Sequence, residues 1–105
     1  MMAASKIDGR FEAQLKALAD PTRRRILELL CCKGRCSCEQ VRSSNPGLCV
    51  CDLESELRLT QPTITHHIQV LREAGLVRAQ KIGRWLYCRR DEQALDALSE
   101  WLRRL

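Results

Sequence analysis

Apolar side chains return with helical spacing near the start of the chain. Ile7, Phe11, Leu15 and Leu18 fall at i, i+4, i+8 and i+11, one stripe of an amphipathic first helix. Asp20-Pro21 is a start signal for a second helix, because the carboxylate can accept from free amides and proline is preset for the first helical position. That helix is expected to reach about Cys32. Residues 33–48 carry Gly34, Ser43, Ser44, Asn45, Pro46 and Gly47 with no surviving period, and are expected to form an inserted loop holding Cys36 and Cys38.

A third helix is expected from about Val50, with Leu53 and Leu57 on one side. A fourth opens at Thr60-Gln61-Pro62, with Thr60 as its cap, and buries Ile64, Ile68 and Leu71 before Gly75 stops it. Two short helices so closely joined predict a helix-turn-helix. Residues 76–82 and 85–89 predict two strands about the turn Gly83-Arg84, a hairpin wing. Asp91 then caps a last helix bearing Leu95, Leu98, Leu102 and Leu105, with Trp101 beside them. The fold class is mainly α with a small β-hairpin wing, a winged helix-turn-helix. Its length of 105 residues predicts a single domain over 1–105 whose core is marginal for a monomer, so a homodimer is expected, joined through the first and last helices.

The formal charge of +5 favours a polyanionic partner. Residues 60–72 hold no acid, and Gln61, Thr63, Thr65 and His66 are expected on the outward face of the second helix of the motif, within reach of base edges in a major groove. From Arg78 to Arg90 inclusive stand five basic residues and no acid, so the wing can neutralise phosphates, with Lys81 and Arg84 foremost and Arg84 able to enter a minor groove. His66 and His67 point about 100° apart on a helix and do not converge on one ion, so solvent or DNA contact is expected of both. The chain has no Gly-rich phosphate loop, no paired acid and base, and no Cys-x-x-Cys, which argues against an enzyme. No run approaches a membrane span and no secretion signal opens the chain, so the expected compartment is the cytoplasm.

Seven cysteines are many for a reducing compartment, and an odd number cannot pair within one chain, so metal binding or redox chemistry is favoured. Cys31 lies at i+4 from Leu27 and Cys88 alternates with Leu86 on a strand, so packing is expected of both.

The segments Leu18-Ala19-Asp20-Pro21-Thr22-Arg23, Leu48-Cys49-Val50-Cys51-Asp52-Leu53, Leu59-Thr60-Gln61-Pro62-Thr63-Ile64 and Leu71-Arg72-Glu73-Ala74-Gly75-Leu76-Val77 closely resemble the ArsR/SmtB family of metal-sensing repressors, arsenic- and antimony-responsive type. The resemblance implies a dimeric winged-helix repressor that leaves its operator, a double-stranded DNA, when an inducing ion binds. It implies an arsenic and antimony, or cadmium and lead, site at Cys49 and Cys51. Two departures stand out. Glu54 occupies the place of the third cysteine of arsenic-responsive members, and the 33–48 loop is longer than the family pattern. The last helix has no histidine, so the zinc site that some members place there lacks its ligands.

As(III) and Sb(III) form pyramidal three-thiolate complexes, whereas Cd(II), Pb(II) and Zn(II) accept three or four sulfur-rich ligands, so two cysteines need help. Cys32, Cys36 and Cys38 are the candidates. The helix start beside Cys49 and Cys51 is expected to lower their thiol pKa. Ion capture is then expected to tilt the helix-turn-helix and spoil the spacing of two recognition helices on the operator. A thiol redox switch on the same scaffold and a constitutive DNA-binding protein remain as alternatives.

Overall fold

The computed structural model describes residues 2–31 and 47–105. Among these residues the order is α1 (Met2–Leu18), α2 (Pro21–Leu30), β1 (Leu48–Cys49), α3 (Val50–Leu57), α4 (Gln61–Glu73), β2 (Val77–Ile82), β3 (Trp85–Arg90) and α5 (Glu92–Arg103). The winged helix-turn-helix expected from the pattern is present.

Helix α2 starts where the sequence signals it. Asp20 accepts from the backbone N–H of Thr22 at 2.7 Å and of Arg23 at 3.1 Å, with proline in the first turn. It ends at Leu30, before the expected Cys32, with Cys31 half-buried at its C-cap. Thr60 stands at the N-cap of α4 but makes no side-chain bond to the free amides; its hydroxyl instead meets that of Thr63 at 3.0 Å. Gly75 performs the stop assigned to it. At φ +83° it takes the left-handed conformation that costs side chains strain, and Leu76 N–H returns to Leu71 O at 2.9 Å.

The core gathers one face from nearly every element: Ile26 and Leu27 of α2, Leu53 of α3, Ile64, Ile68 and Leu71 of α4, then Leu76, Val77 and Cys88. Cys88 is fully buried, as its alternation with Leu86 predicted. On α1 the buried stripe is Phe11, Gln14 and Ala17, whereas Leu15 is exposed, a shift from the Ile7, Phe11, Leu15, Leu18 pattern. The reason is a polar tether: Gln14 Nε2 donates to Ala74 O at 3.1 Å, turning α1 so that its amide faces the end of α4. Phe11 stacks on Trp101 of α5 with ring centroids 4.7 Å apart. Leu98 alone of the α5 leucines is buried, leaving Leu102 and Leu105 exposed near the exposed end of the helix.

The wing closes through a two-residue turn with Gly83 at φ +62° in its first position, and β2 and β3 pair from Val77↔Arg90 to Ile82↔Trp85. A third strand, absent from the sequence reading, pairs Leu48↔Cys88 and Cys49↔Tyr87, giving the antiparallel order β1-β3-β2. The loop assigned to 33–48 therefore gives way to sheet at Leu48; its residues 33–46 lie outside the described residues. Gly47 permits this docking. At φ +112° it lies so close to β3 that a Cβ would overlap the Cys88 carbonyl oxygen.

Candidate functional site

Strand β1 delivers Cys49 to the mouth of α3, and Asp52 locks the turn by accepting from Cys49 N–H at 3.1 Å. The chain then places the Cys49 and Cys51 sulfurs 3.1 Å apart, Cys49 buried and Cys51 exposed. Cys51 donates to the Cys49 sulfur, and this shared proton, helped by desolvation, raises the Cys51 pKa. The expected lowering by the helix start is overturned for Cys51, because its nearest partner is another thiol, which resists a negative sulfur. Cys88 packs as a core residue, and burial pushes its thiol up to about 11. Cys32, Cys36 and Cys38 lie outside the described residues, and among the described residues no cluster of three or more His, Cys, Asp or Glu side chains is spaced to hold a metal ion.

Helix α4 presents Gln61, Thr63, Thr65 and His66 to solvent while Ile64, Ile68 and Leu71 enter the core. His67, expected beside His66 at the surface, is half-buried, and its Nδ1 accepts from the Arg23 guanidinium at 3.2 Å. Burial lowers its pKa, outweighing the pull of Asp20, so the neutral ring is favoured. Arg23 also donates to Ala17 O at 2.7 Å, so one side chain ties the end of α1 and helix α4 to α2.

The wing is less uniformly cationic than its sequence. Arg78 meets Asp91 at 3.2 Å and Arg90 meets Glu92 at 3.1 Å, pairs that hold the base of the wing to the start of α5. Lys81, Arg84 and Arg89 stand exposed. Arg84 lies 5.9 Å over the ring of Trp85, itself 49% exposed.

These parts meet in one cleft of about 420 Å³. Cys49 and Cys51 line it with Glu54; Gln61 and Thr65 come from α4, and Lys81, Arg84, Trp85 and Leu86 from the wing. Thr63 and His66 lie outside its lining. Trp85 is the residue that the sequence reading passed over: a large aromatic at a turn, where no core position accounts for it, was the signal.

Residues 40–79 match the family model of bacterial regulatory proteins of the arsR family. An arsenical resistance operon repressor of Bacillus subtilis is 32% identical over 99 residues, which cover 93% of this chain and 83% of that protein. The chain belongs to the arsR family.

Other proteins are similar in sequence or shape. An uncharacterized HTH-type transcriptional regulator of Methanocaldococcus jannaschii is 43% identical over 70 residues, covering 67% of this chain and 65% of that relative. The crystal structure of an ArsR family transcriptional regulator superposes with a TM-score of 0.68 at 27% identity, covering 92% of this chain and 87% of that one. The arsR family is one of transcription regulators rather than enzymes, and the fold here is the DNA-binding helix-turn-helix with its wing. No helix among the described residues is long and apolar enough to cross a membrane.

Proposed function

We propose that this chain is a transcriptional repressor that binds operator DNA as a homodimer and lets it go when a thiophilic ion is captured at Cys49 and Cys51. The observation that carries the reading is the shared cleft, which Cys49 and Cys51 line together with Gln61, Thr65, Lys81 and Arg84. Gln61, Thr63, Thr65 and His66 read base edges from α4, and Lys81 and Arg84 hold phosphates from the wing. The ion is a trivalent arsenical or antimonial, or Cd(II), Pb(II) or Zn(II), and acts in the cytoplasm. Cys32, Cys36 or Cys38 supplies any further thiolate that a naked ion needs. The whole chain acts as one domain, paired through α1 and α5, where Leu15 and Leu102 are exposed, with exposed Leu105 just beyond α5.

Release follows from occupancy. A sulfur-bound group between α3 and the wing meets the same side chains that would hold DNA, so strain or obstruction at the cleft reaches the interface without a relay. The opening is small: a tetrahedral metal with bonds of ~2.3 Å to sulfur sets its sulfurs about 3.8 Å apart, against 3.1 Å here. The test is an operator gel shift under full reduction with each ion, repeated for Cys49→Ser and Cys51→Ser. Release in the parent and none in either variant is expected; release that persists in the double variant overturns the reading.

A further inference from the structure

Helix α4 is held at two points by polar bonds from other helices. At its C-cap, Ala74 O accepts from Gln14 Nε2 of α1 at 3.1 Å. Two turns earlier, His67 Nδ1 accepts at 3.2 Å from the Nη1 of Arg23, whose Nε donates to Ala17 O near the end of α1. Both links lead back to α1, and at about 1.5 Å of rise per residue they stand roughly 10 Å apart along α4. One anchor leaves a helix free to swing, whereas two define its axis. Apolar packing does this poorly here. The buried residues at these two helix ends, Ala17 and Ala74, carry only a methyl group, and apolar attraction is non-directional. Gln14 is also a poor choice for stability alone. Among the described residues it is the one polar side chain buried with the core, and its Oε1 has no hydrogen-bond partner. A buried acceptor without a partner costs free energy that an apolar side chain of the same length does not.

We propose that Gln14 and Arg23 are positioning residues for operator recognition: together they fix the axis of α4 relative to the pairing helix α1, and so the separation of the two α4 helices in the dimer. The proposal rests on the dimeric repressor reading above and deepens it by naming what sets its geometry. Half-sites one helical turn apart place two such helices about 34 Å apart, each about 17 Å from the two-fold axis. A tilt of about 10° over that arm moves a helix by about 3 Å, close to the rise of about 3.4 Å for one base pair. Loss of either anchor therefore shows as lost discrimination between operator spacings rather than as lost folding.

Two variants of the full reduced chain test this. Gln14→Met keeps the length of the side chain and removes the donor together with the unpartnered acceptor, so the loss at Ala74 O is offset by relief at position 14. Arg23→Lys keeps the charge, but its single nitrogen cannot serve Ala17 O and His67 Nδ1 in place of Nε and Nη1. Fluorescence anisotropy is run on duplexes carrying two of the parent's preferred half-sites, the spacing stepped one base pair at a time to either side of the parent's optimum, and on a duplex with one half-site. Each variant is expected to lower the preference for the optimal spacing about five-fold, while single-half-site affinity, sedimentation as a dimer and the melting curve stay put. A folded variant of either kind that keeps the parent's spacing profile overturns the proposal, as does one that weakens the single and paired duplexes by the same factor. Should Gln14→Met not fold, Arg23→Lys decides alone. A parent that sediments as a monomer or binds neither duplex removes the repressor reading itself, whereas failure confined to the variants removes only the positioning role.

Discussion

Cys49, Cys51 and Cys88 show how one residue type takes three roles within a few ångströms of sheet and helix. Cys88 has no exposed surface and a thiol pushed up to about 11 by burial, so it stays protonated at neutral pH. Cys51 is exposed, with its proton shared toward Cys49. Iodoacetamide at pH 8 is therefore expected to modify Cys51 well before Cys88, which reacts only once the chain unfolds; peptide mapping by mass spectrometry gives the order. His67 offers a second test. Because burial lowers its pKa below 6.5, the unfolded chain binds its proton first as pH falls, so its stabilising effect is complete above that value and declines through the folded pKa. An NMR titration of the ring should find a midpoint under 6.5, and a midpoint above it would contradict the burial described. The thiol pair could be named from sequence, but its electrostatics could not: helix-start position argues for a lowered pKa, and only the 3.1 Å separation reveals that the sulfur partner dominates Cys51.

At the scale of elements, short polar signals did more than long apolar ones. Asp20 and Asp91 each cap a helix, and Asp91 accepts from Ala94 N–H at 3.0 Å. That backbone bond holds its carboxyl below the usual range, against desolvation and with help from Arg78. The capping contribution is thus present above the ordinary carboxylate pKa of ~3.9 and is lost as pH falls through the lower folded value. Asp91→Ala should cost about 1 kcal/mol and leave a shallower acid limb in urea titrations run from pH 7 downward. Strand β1, two residues long, gave no periodic signal because alternation needs several positions to register. Its docking depends on Gly47, where any side chain collides with backbone rather than with a yielding side chain. Gly47→Ala is expected to detach β1, lowering both the melting temperature and the affinity for arsenite, since Cys49 follows directly. A variant with full ion affinity would show that β1 does not position the thiol.

For the whole molecule, the charge balance and the exposed leucines set two expectations. Arg78 and Arg90 are occupied within the fold, so under the proposed function phosphate contact on the wing falls to exposed Lys81 and Arg84. Lys81→Gln or Arg84→Gln should reduce the salt slope of operator binding by about 1 each for every protomer, whereas Arg78→Gln should leave it nearly unchanged; fluorescence anisotropy at several salt concentrations measures all three. Leu15, Leu102 and Leu105 expose apolar surface on α1 and at the α5 end. Leu102→Asp should shift sedimentation toward monomer and weaken operator binding with it. Linkage adds a reciprocal requirement: if the ion weakens DNA binding, operator DNA must weaken ion binding by the same factor.

The sequence alone determined the order of helices, the capping residues, the helix-turn-helix, the wing and the pair of cysteines, because each rests on contacts within a few residues. Tertiary structure decided which side of α1 is buried, where β1 docks, which arginines are already paired, and that the thiols share a cleft with α4 and Trp85. Most of those outcomes depend on groups far apart in the chain, such as Gln14 against Ala74 and Cys49 against Tyr87, and chain periodicity carries no record of such pairings.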